Sequence, residues 1–321
     1  MKRLQVAVIG AGVMGKHHAN IYAALPYTDL AAVVDPLPAS RQDVAERYAA
    51  PTYDSVATML ADKRIDAASV AAPTSFHYRL SRELLEAGVH VLVEKPVATD
   101  PLQAEALIEL SQRRGLVLQV GHITRFYRAV KLLRRHTRQP YLLEARRLSP
   151  HARIKDVGVI LDLMIHDIDI MLSLIPAKVC SVDVAGHILN GSPFEDIASA
   201  QIVFENGCIA RLLASRVSPD AERTFMVAEA HQTTRLDFAK EPYTEMAVYK
   251  PLTNDPGSDH VQVDVRTVLE DNPLRDEIQH FLARIRTGTP PVGTPADDLR
   301  SLSLASRLIG ELKVSRLAQV K

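Results

Sequence analysis

Residues 4–15 read LQVAVIGAGVMG, a short apolar run followed by three glycines in the spacing G-x-G-x-x-G. The run LQVAVI predicts a buried strand, and the apolar periodicity from Met14 to Leu25 predicts a helix directly after the glycines. In this context the glycines permit a tight turn, approach of a pyrophosphate to the backbone, and close packing of helix against strand. The stretch therefore predicts a dinucleotide-binding domain, with a merely tight turn between strand and helix as the alternative.

The helix after the glycines would offer free N–H groups and the positive end of its dipole to phosphates. Asp35 follows the second predicted strand, where a carboxylate can accept both ribose hydroxyls and repel a 2′-phosphate, which favours NAD over NADP. Two alternatives stay open: nearby Arg41 could meet a 2′-phosphate, and Asp35 could be an ordinary turn residue. We expect the cofactor to contact Gly10, Gly12, Val13, Met14, Gly15 and Asp35.

Strand-like and helical patterns alternate through the first third of the chain. Strands are expected at residues 4–9, 30–34, 67–71, 89–93 and 116–120, and helices at 14–25, 40–49, 55–61, 77–87 and 101–114. This alternation predicts an α/β fold whose N-terminal Rossmann domain, residues 1–121, has a doubly wound parallel sheet.

The pattern changes after Gly121, where most of the expected elements are strands. They are predicted at residues 179–188, 199–205, 208–217, 224–230, 233–238 and 245–249, and helices at 126–136, 159–171, 274–286 and 296–315. The close spacing of the strands, with a hairpin signal at Asn206-Gly207, is typical of antiparallel pairing. Residues 122–321 are therefore expected to form an α/β domain with a large, open, mainly antiparallel sheet.

Composition limits the classes of function. The chain has 321 residues, 47% hydrophobic and 24% charged, with a formal net charge of zero, so we expect no nucleic-acid partner. No apolar run reaches the roughly 18 residues of a membrane span, and the apolar start breaks at the glycines too early for a signal peptide. Cys180 and Cys208 have neither zinc nor disulfide-framework spacing. We expect a cytoplasmic protein without a membrane partner.

Residues 159–171 read VILDLMIHDIDIM, an apolar helix with three aspartates and a histidine. At 100° per residue, Asp162, His166 and Asp169 fall within an arc of about 60°. Taken singly, Asp162 could cap the helix and His166 could be an ordinary core histidine. Together they indicate a cleft or a pairing network, because unpaired buried charge is unfavourable. A metal site is a further alternative, but we expect no metal.

Five motifs in order resemble the Gfo/Idh/MocA family of sugar and polyol dehydrogenases. They are G-x-G-x-x-G, APTSFH (72–77), EKP (94–96), VGHITRF (120–126) and D-x-x-x-H-D-I-D (162–169). The resemblance implies catalytic roles for Lys95, Asp162 and His166. It also implies cofactor contacts at Ala72, Pro73, His77, Glu94 and Lys95. One departure is the segment DVGVILD (156–162), which keeps only Gly158 where many members have a run of glycines before the aspartate.

The chemistry of alcohol oxidation gives these residues their expected roles. His166, with an ordinary pKa of about 6.5, is suited to take the hydroxyl proton. Asp162 would orient the imidazole or hold a neighbouring hydroxyl, and the Lys95 ammonium would stabilise the developing alkoxide. Glu94 is expected to be structural, and the resemblance implies a cis peptide before Pro96.

The substrate is expected from resemblance. VGHITRF and residues 157–171 are most similar to the branch that oxidises nucleotide-activated sugars, such as UDP-N-acetylglucosamine at its 3-position, for lipid A or surface polysaccharide. By the same analogy His122 and Arg125, with Asp162 and His166, would contact the substrate; an arginine suits a diphosphate, but an interdomain ion pair is an equal alternative. The alternatives for function are an inositol or free-sugar dehydrogenase and a noncatalytic NAD-binding regulator. The resemblance also implies a homodimer or homotetramer formed through the C-terminal sheet.

Overall fold

The computed structural model describes residues 3–150, 156–189, 193–240, 242–251 and 261–316. The chain divides into two units. Unit 1 comprises residues 1–123 and 274–299, and unit 2 comprises residues 124–273 and 300–321.

Unit 1 contains a six-stranded parallel sheet in the order β3-β2-β1-β4-β5-β6. Its strands are β1 (Leu4–Ile9), β2 (Thr28–Val34), β3 (Thr52–Tyr53), β4 (Ala67–Val70), β5 (His90–Glu94) and β6 (Leu118–Gly121). The connecting helices are α1 (Val13–Ala24), α2 (Pro38–Tyr48), α3 (Val56–Asp62), α4 (His77–Glu86) and α5 (Pro101–Arg114). The strand order reverses at β1, which places the loops after β1 and β4 at the switch point where such sheets bind nucleotides. The predicted doubly wound sheet is confirmed.

The other helices and strands complete both units. The helices are α6 (Arg128–His136), α7 (Ile165–Leu174), α8 (Pro273–Thr287) and α9 (Pro295–Gly310). The strands are β7 (Leu142–Leu148), β8 (Val179–Ile188), β9 (Ile197–Phe204), β10 (Ile209–Ser215), β11 (Glu222–Glu229), β12 (Gln232–Asp237), β13 (Tyr243–Pro251), β14 (Val261–Leu269) and β15 (Lys313–Arg316).

Unit 2 is built on a nine-stranded sheet in the order β14-β13-β12-β11-β7-β10-β9-β8-β15. Neighbouring strands are antiparallel except for the parallel pairs β7–β10 and β8–β15. Successive side chains of a strand point to opposite faces. Leu143 and Ala145 of β7 share one buried face with Ala210 and Leu212 of β10, while the opposite face carries charged residues such as Glu144. The predicted large, mainly antiparallel sheet is confirmed.

Several elements differ from the sequence prediction. The last helix ends at Gly310 instead of Ser315, and residues 313–316 form β15, because this stretch pairs with the edge strand β8. Strand β7, in the middle of the sheet, was not predicted because its sequence LLEARRL places apolar and charged residues on both faces and so lacks a clear alternation. Strands β3 and β14 were not predicted either.

The two units differ from the two predicted domains because helix α8 belongs to unit 1. Its residues Ile278, Phe281 and Leu282 are fully buried in the core of unit 1, together with Val6 and Val8 of β1. The predicted boundary after residue 121 assigns this helix to the second domain. The helix amphipathicity that the sequence shows does not reveal which sheet the apolar face will cover.

Candidate active site

The glycine loop after β1 has the geometry of a phosphate cradle. Gly10 has φ +98°, and a Cβ there would lie 2.7 Å from the carbonyl oxygen of Ala71. A Cβ on Gly15 would overlap the carbonyl oxygen of Gly10, so α1 can pack this closely only with glycine. A Cβ on Gly12 would meet no atom within 4 Å. The backbone at Gly12 is therefore open to a ligand.

The positive end of the α1 dipole is not neutralised by any side chain in the first turn of the helix. Gly12 precedes the helix, no side chain caps it, and no acidic residue lies in its first turn. The apolar side chain of Val13 is 56% exposed there, while Met14 is half-buried. Free N–H groups at a helix start attract anions. These residues fit the pyrophosphate of a dinucleotide.

Asp35 lies directly after β2 and is nearly buried. Its Oδ2 accepts a hydrogen bond from Ala11 N at 2.8 Å, and its Oδ1 accepts one from Leu37 N at 2.9 Å. Each carboxylate oxygen can accept a second hydrogen bond, so both can still meet ribose hydroxyls. Arg41 donates to the carbonyl oxygens of Asp35 and Pro36 at 2.7 and 3.0 Å. The carboxylate that would select NAD is thus tied to the glycine loop itself.

His77 links two of the predicted cofactor-binding motifs. Its Nδ1 lies 2.7 Å from the carbonyl oxygen of Pro96, and its Nε2 lies 2.9 Å from that of Ala72. The Lys95–Pro96 peptide is cis, as the resemblance implied, and Lys95 is half-buried while Pro73 is exposed. The buried imidazole therefore fixes the turn that carries Lys95 to the loop after β4.

Glu94 at the end of β5 faces α1. Its Oε1 lies 3.0 Å from Nε2 of His18. Burial raises the pKa of the Glu94 carboxyl, but the hydrogen bond and charge of His18, with the charges of Lys95 and His77, hold that pKa below its usual range. Glu94 therefore contacts α1 through His18 and places an ionised carboxylate beside Lys95 in the sequence. Its contact with the cofactor stays a prediction.

In unit 2, Asp162 lies in a π-helical turn, Ile160–Met164, that leads directly into α7. Such turns are rare and occur often at functional sites. Asp162 is buried and is not the helix cap, and His166, one turn later, is half-buried with its Nδ1 buried. The two predicted catalytic residues of this segment are thus brought onto one continuous helix.

The other two aspartates of the segment form buried ion pairs. Asp169 accepts two hydrogen bonds from Arg125, at 2.9 and 2.6 Å, and one from Ser301 at 3.0 Å. Asp167 accepts two from Arg147, at 3.0 and 2.7 Å. Burial lowers the pKa of Arg147, but Asp167, Tyr127 and Asp162 raise it more, so the guanidinium stays charged. The positive charge of Arg147 therefore acts on Asp162 as well as on Asp167.

His122 and Arg125 have protein partners within their own units. His122 Nε2 lies 3.9 Å from Oδ1 of Asp298, and both residues are buried. Arg125 is paired with Asp169, and both residues belong to unit 2. Contact of either side chain with a substrate stays a prediction, and these partners weigh against it.

Three charged residues near the start of the helical segment that carries Asp162 were not predicted from the sequence. Glu195, Asp196 and Arg216 are all buried around Gly158 and Val159. They carry no local motif. The only signal was the shortened glycine segment, because a loop with fewer glycines needs another way to start the helix.

Comparison with known proteins extends this picture. Residues 4–122 match the Gfo/Idh/MocA oxidoreductase family, NAD-binding Rossmann fold, and residues 129–234 match the Gfo/Idh/MocA C-terminal domain. A UDP-N-acetylglucosamine 3-dehydrogenase from Acidithiobacillus ferrooxidans is 35% identical over 292 residues, 90% of this chain and 91% of that protein. The chain belongs to the Gfo/Idh/MocA oxidoreductase family. Its first unit is accordingly a NAD-binding Rossmann domain, as the glycine loop predicted.

Other Gfo/Idh/MocA proteins show the range of the likeness. A solved structure of the Acidithiobacillus ferrooxidans enzyme has a TM-score of 0.87 at 33% identity and covers 97% of this chain and 98% of its own. A scyllo-inositol 2-dehydrogenase (NAD(+)) from Bacillus subtilis is 31% identical over 68% of each chain. The family relationship makes this chain a sugar oxidoreductase and speaks against the noncatalytic NAD-binding regulator.

The helices and the two cysteines bear on the expected absence of a membrane span and of disulfides. Within the described ranges, every helix is too short or too polar to cross a bilayer. Cys180 is exposed and Cys208 is buried, and both are free thiols; burial raises the pKa of Cys208 to about 11.

Proposed function

We propose that this Gfo/Idh/MocA enzyme is a NAD-dependent dehydrogenase that oxidises the 3-hydroxyl of UDP-N-acetylglucosamine to a ketone. The observation that carries the proposal is the 35% identity to a UDP-N-acetylglucosamine 3-dehydrogenase over 90% of this chain and 91% of that protein. That likeness includes both units. The expectation that the product enters lipid A or surface-polysaccharide synthesis stays a prediction.

The cofactor part of the proposal rests on residues of unit 1. Gly10, Gly12 and the start of α1 would hold the pyrophosphate, and Asp35 would accept the ribose hydroxyls. Val13, Met14, Gly15, Ala72, Pro73 and His77 line or support the same loops. We propose NAD in preference to NADP, because a second negative charge beside Asp35 is unfavourable. When bound, the nicotinamide supplies the hydride acceptor.

The proton chemistry is assigned to Lys95, Asp162 and His166. We propose that His166 Nε2 takes the hydroxyl proton, since its Nδ1 is buried. Asp162 would orient the imidazole or hold a neighbouring hydroxyl. The Lys95 ammonium would stabilise the oxyanion that develops as the proton leaves. The ion pairs of Asp167 and Asp169 hold the helix and leave the proton transfer to His166.

An inositol is the second candidate substrate. The Bacillus subtilis scyllo-inositol 2-dehydrogenase (NAD(+)) is 31% identical over 68% of this chain. The pairing of Arg125 with Asp169 also weakens the predicted diphosphate contact. The same catalytic residues would serve either substrate, because both present a secondary alcohol.

The decisive experiment measures NADH formation with UDP-N-acetylglucosamine, myo-inositol and scyllo-inositol. We expect turnover with the nucleotide sugar. His166→Ala should lower kcat by on the order of 10² to 10⁴, as for a lost general base, and Lys95→Met should abolish most hydride transfer while the variant still binds UDP-N-acetylglucosamine in calorimetry. The exposed residues His231 and Lys240 provide the matched controls His231→Ala and Lys240→Met, which should retain full activity.

The outcomes separate substrate from mechanism. Turnover of an inositol without turnover of the nucleotide sugar would replace the substrate and keep the catalytic residues. Normal turnover by Lys95→Met or His166→Ala would remove the mechanism.

We also propose that the chain forms a homodimer or homotetramer through the open face of the sheet of unit 2, in the cytoplasm. Val261, Val263, Val265 and Leu269 of β14 are each 44–56% exposed on one face. Register pairing places Tyr249 beside Val263 and Tyr243 beside Leu269 on that face. Contiguous exposed apolar surface of this kind is typical of an interface between copies.

The two free thiols agree with a reducing compartment.

A further inference from the structure

The helical segment that carries Asp162 begins without local caps. The first N–H groups of any helix have no partner within the helix. Here Val159 precedes the π-helical turn, and no side chain at that position caps it. The segment before Asp162, residues 156–161, contains one glycine, Gly158. The partners of the first amides must therefore come from elsewhere in the chain.

Glu195 supplies acceptors for two of these amides. The carbonyl oxygen of Glu195 accepts a hydrogen bond from Val159 N at 3.2 Å, and its Oε1 accepts one from Ile160 N at 3.0 Å. Asp162 N then donates to the carbonyl oxygen of Gly158 at 3.0 Å, within the helical segment. A residue 35 positions away in the sequence thus determines where the helix starts.

Gly158 is the residue that allows this contact. A Cβ at position 158 would overlap the carboxylate of Glu195. Every other residue type has a Cβ, so only glycine lets the carboxylate reach the amide of Ile160 in this geometry. The one glycine that the segment keeps therefore serves Glu195.

Arg216 and Asp196 hold Glu195 in place. Arg216 Nε donates to Oδ1 of Asp196 at 2.6 Å, and Arg216 Nη1 donates to the carbonyl oxygen of Val157 at 2.9 Å. Arg216 therefore joins the residue after Glu195 to the residue before Gly158. We call Glu195, Asp196 and Arg216 the helix-start clamp; all three are buried.

The charge of Glu195 is poorly suited to stability alone. Burial raises the pKa of its carboxyl, and Asp196 adds to this effect, while Ile160 N–H and Arg216 only partly oppose it. A buried charge of this kind is weak evidence for a contribution to stability. The geometry of Glu195, which contacts the two amides at the helix start, is consistent with a role in placement.

We infer that Glu195 is a positioning residue that fixes Asp162 and His166 through the start of their helix. This inference rests on the proposed roles of those two residues. Asp162 lies two positions after Ile160, so a shift of that amide moves the carboxylate directly. A misplacement of about 1 Å in a catalytic group can lower the rate by on the order of 10²-fold.

The experiment compares Glu195→Ala, which removes the side-chain acceptor, with Glu195→Gln, which keeps an oxygen for Ile160 N–H. We expect Glu195→Ala to lower kcat by on the order of 10- to 100-fold with little change in KM, and Glu195→Gln to restore most of the rate. Amide hydrogen exchange in residues 157–164 should accelerate in Glu195→Ala and return toward the parent value in Glu195→Gln. The affinity for NAD should stay unchanged in both.

Glu270 offers a matched control. It is also buried, and it accepts hydrogen bonds from Arg128 N and Ala129 N, at 2.6 and 2.9 Å, at the start of α6. Glu270→Ala should lower the Tm, as loss of a cap does, without lowering kcat or changing exchange in residues 157–164. Equal losses of kcat in Glu270→Ala and Glu195→Ala, or no rescue by Glu195→Gln, would overturn the positioning role.

The proposed substrate and the clamp can fail separately. If the parent protein ignores UDP-N-acetylglucosamine, the substrate assignment fails, and kcat is then measured with the inositol that it oxidises. The exchange measurement requires no substrate, so unchanged exchange in Glu195→Ala would overturn the clamp whichever sugar is oxidised.

Discussion

Asp35 determines the choice of cofactor in our proposal, at the scale of one side chain. We expect the parent protein to bind NAD more tightly than NADP in calorimetry. Asp35→Ser removes the charge that opposes a 2′-phosphate and leaves Arg41 beside the site, so the gap between the two affinities should narrow.

The double variant Asp35→Ser with Arg41→Ala is the control for this prediction. Without the guanidinium, NADP affinity should fall back while NAD affinity changes little. Equal affinity of the parent protein for both cofactors would contradict the role of Asp35.

The ionised carboxylate of Glu94 should affect the stability of the protein at acidic pH. Its carboxyl has a lowered pKa in the folded protein because of His18, Lys95 and His77, which outweigh burial. The unfolded chain has a glutamate pKa of about 4.3 and binds the proton first as pH falls. The stability contributed by ionised Glu94 is therefore present above about pH 4.3 and is lost below it. In urea unfolding, the free energy of unfolding of Glu94→Gln should decline less than that of the parent protein as pH falls through this range.

Glu195→Gln is the comparison of opposite sign. The raised pKa of Glu195 means that its ionisation lowers stability as pH rises from about 4.3 toward the pKa of the folded state. In Glu195→Gln the free energy of unfolding should fall less as pH rises above about 4.3. Its decline at more acidic pH should stay as in the parent protein. A steeper acidic decline in Glu94→Gln than in the parent would contradict the prediction for Glu94.

The sequence predicted residues whose signal is local and missed those whose signal is a distant partner. Gly10 and Lys95 stand in motifs, and Asp35 stands directly after a predicted strand, so the surroundings of all three follow from a few neighbouring residues. Arg125 pairs with Asp169 across 44 positions, and Glu195 meets Ile160 across 35. Helical periodicity reports which face a side chain occupies, but it does not report what packs against that face.

At the scale of elements, Gly158 and Glu195 should behave as a coupled pair. Gly158→Ala places a methyl group where the Glu195 carboxylate lies, and overpacking of this kind destabilises a protein by about 1–3 kcal/mol. The free energy of unfolding and kcat should both fall. In a Glu195→Ala background the added methyl group has room, so the same substitution should be nearly neutral, which a double-mutant cycle measures.

Additive effects in that cycle would contradict the contact between the two residues. Gly207→Ala is an unsuitable control because its φ is +82°. Gly12 has an open site but belongs to the cofactor loop. Gly310, at the end of α9, has no atom near its potential Cβ and no positive φ, so Gly310→Ala should leave stability and rate close to those of the parent.

Strands at the two ends of the large sheet show why element prediction was uneven. β14 is exposed on both faces over most of its length, yet residues 261–266 read VQVDVR, a strict alternation of apolar and polar residues. The sequence therefore carries a strand signal for β14 that the prediction did not include. β15 has only four residues and directly follows a helix that the periodicity extended too far. The parallel strands of unit 1 were predictable because burial on both faces gives continuous apolar runs.

At the scale of the whole molecule, the exposed valines of β14 should determine assembly. Val263→Asp puts a charge into the apolar face and should shift the protein to monomer in light scattering. Gln262→Asp adds the same charge to the adjacent, exposed position on the opposite face of β14 and should leave assembly intact. A parent protein that is monomeric at micromolar concentration would contradict the interface.

The return of helix α8 to the first sheet affects how the protein can be divided for experiments. A fragment that stops near residue 121 contains all six parallel strands, yet it lacks Ile278, Phe281 and Leu282, which complete the core around Val6 and Val8. Its sheet would present an uncovered apolar surface to water, and we expect such a fragment to aggregate. A gene that joins residues 274–299 to residue 123 through a flexible linker would restore the missing helix, so the smallest nucleotide-binding piece of this protein is discontinuous in sequence.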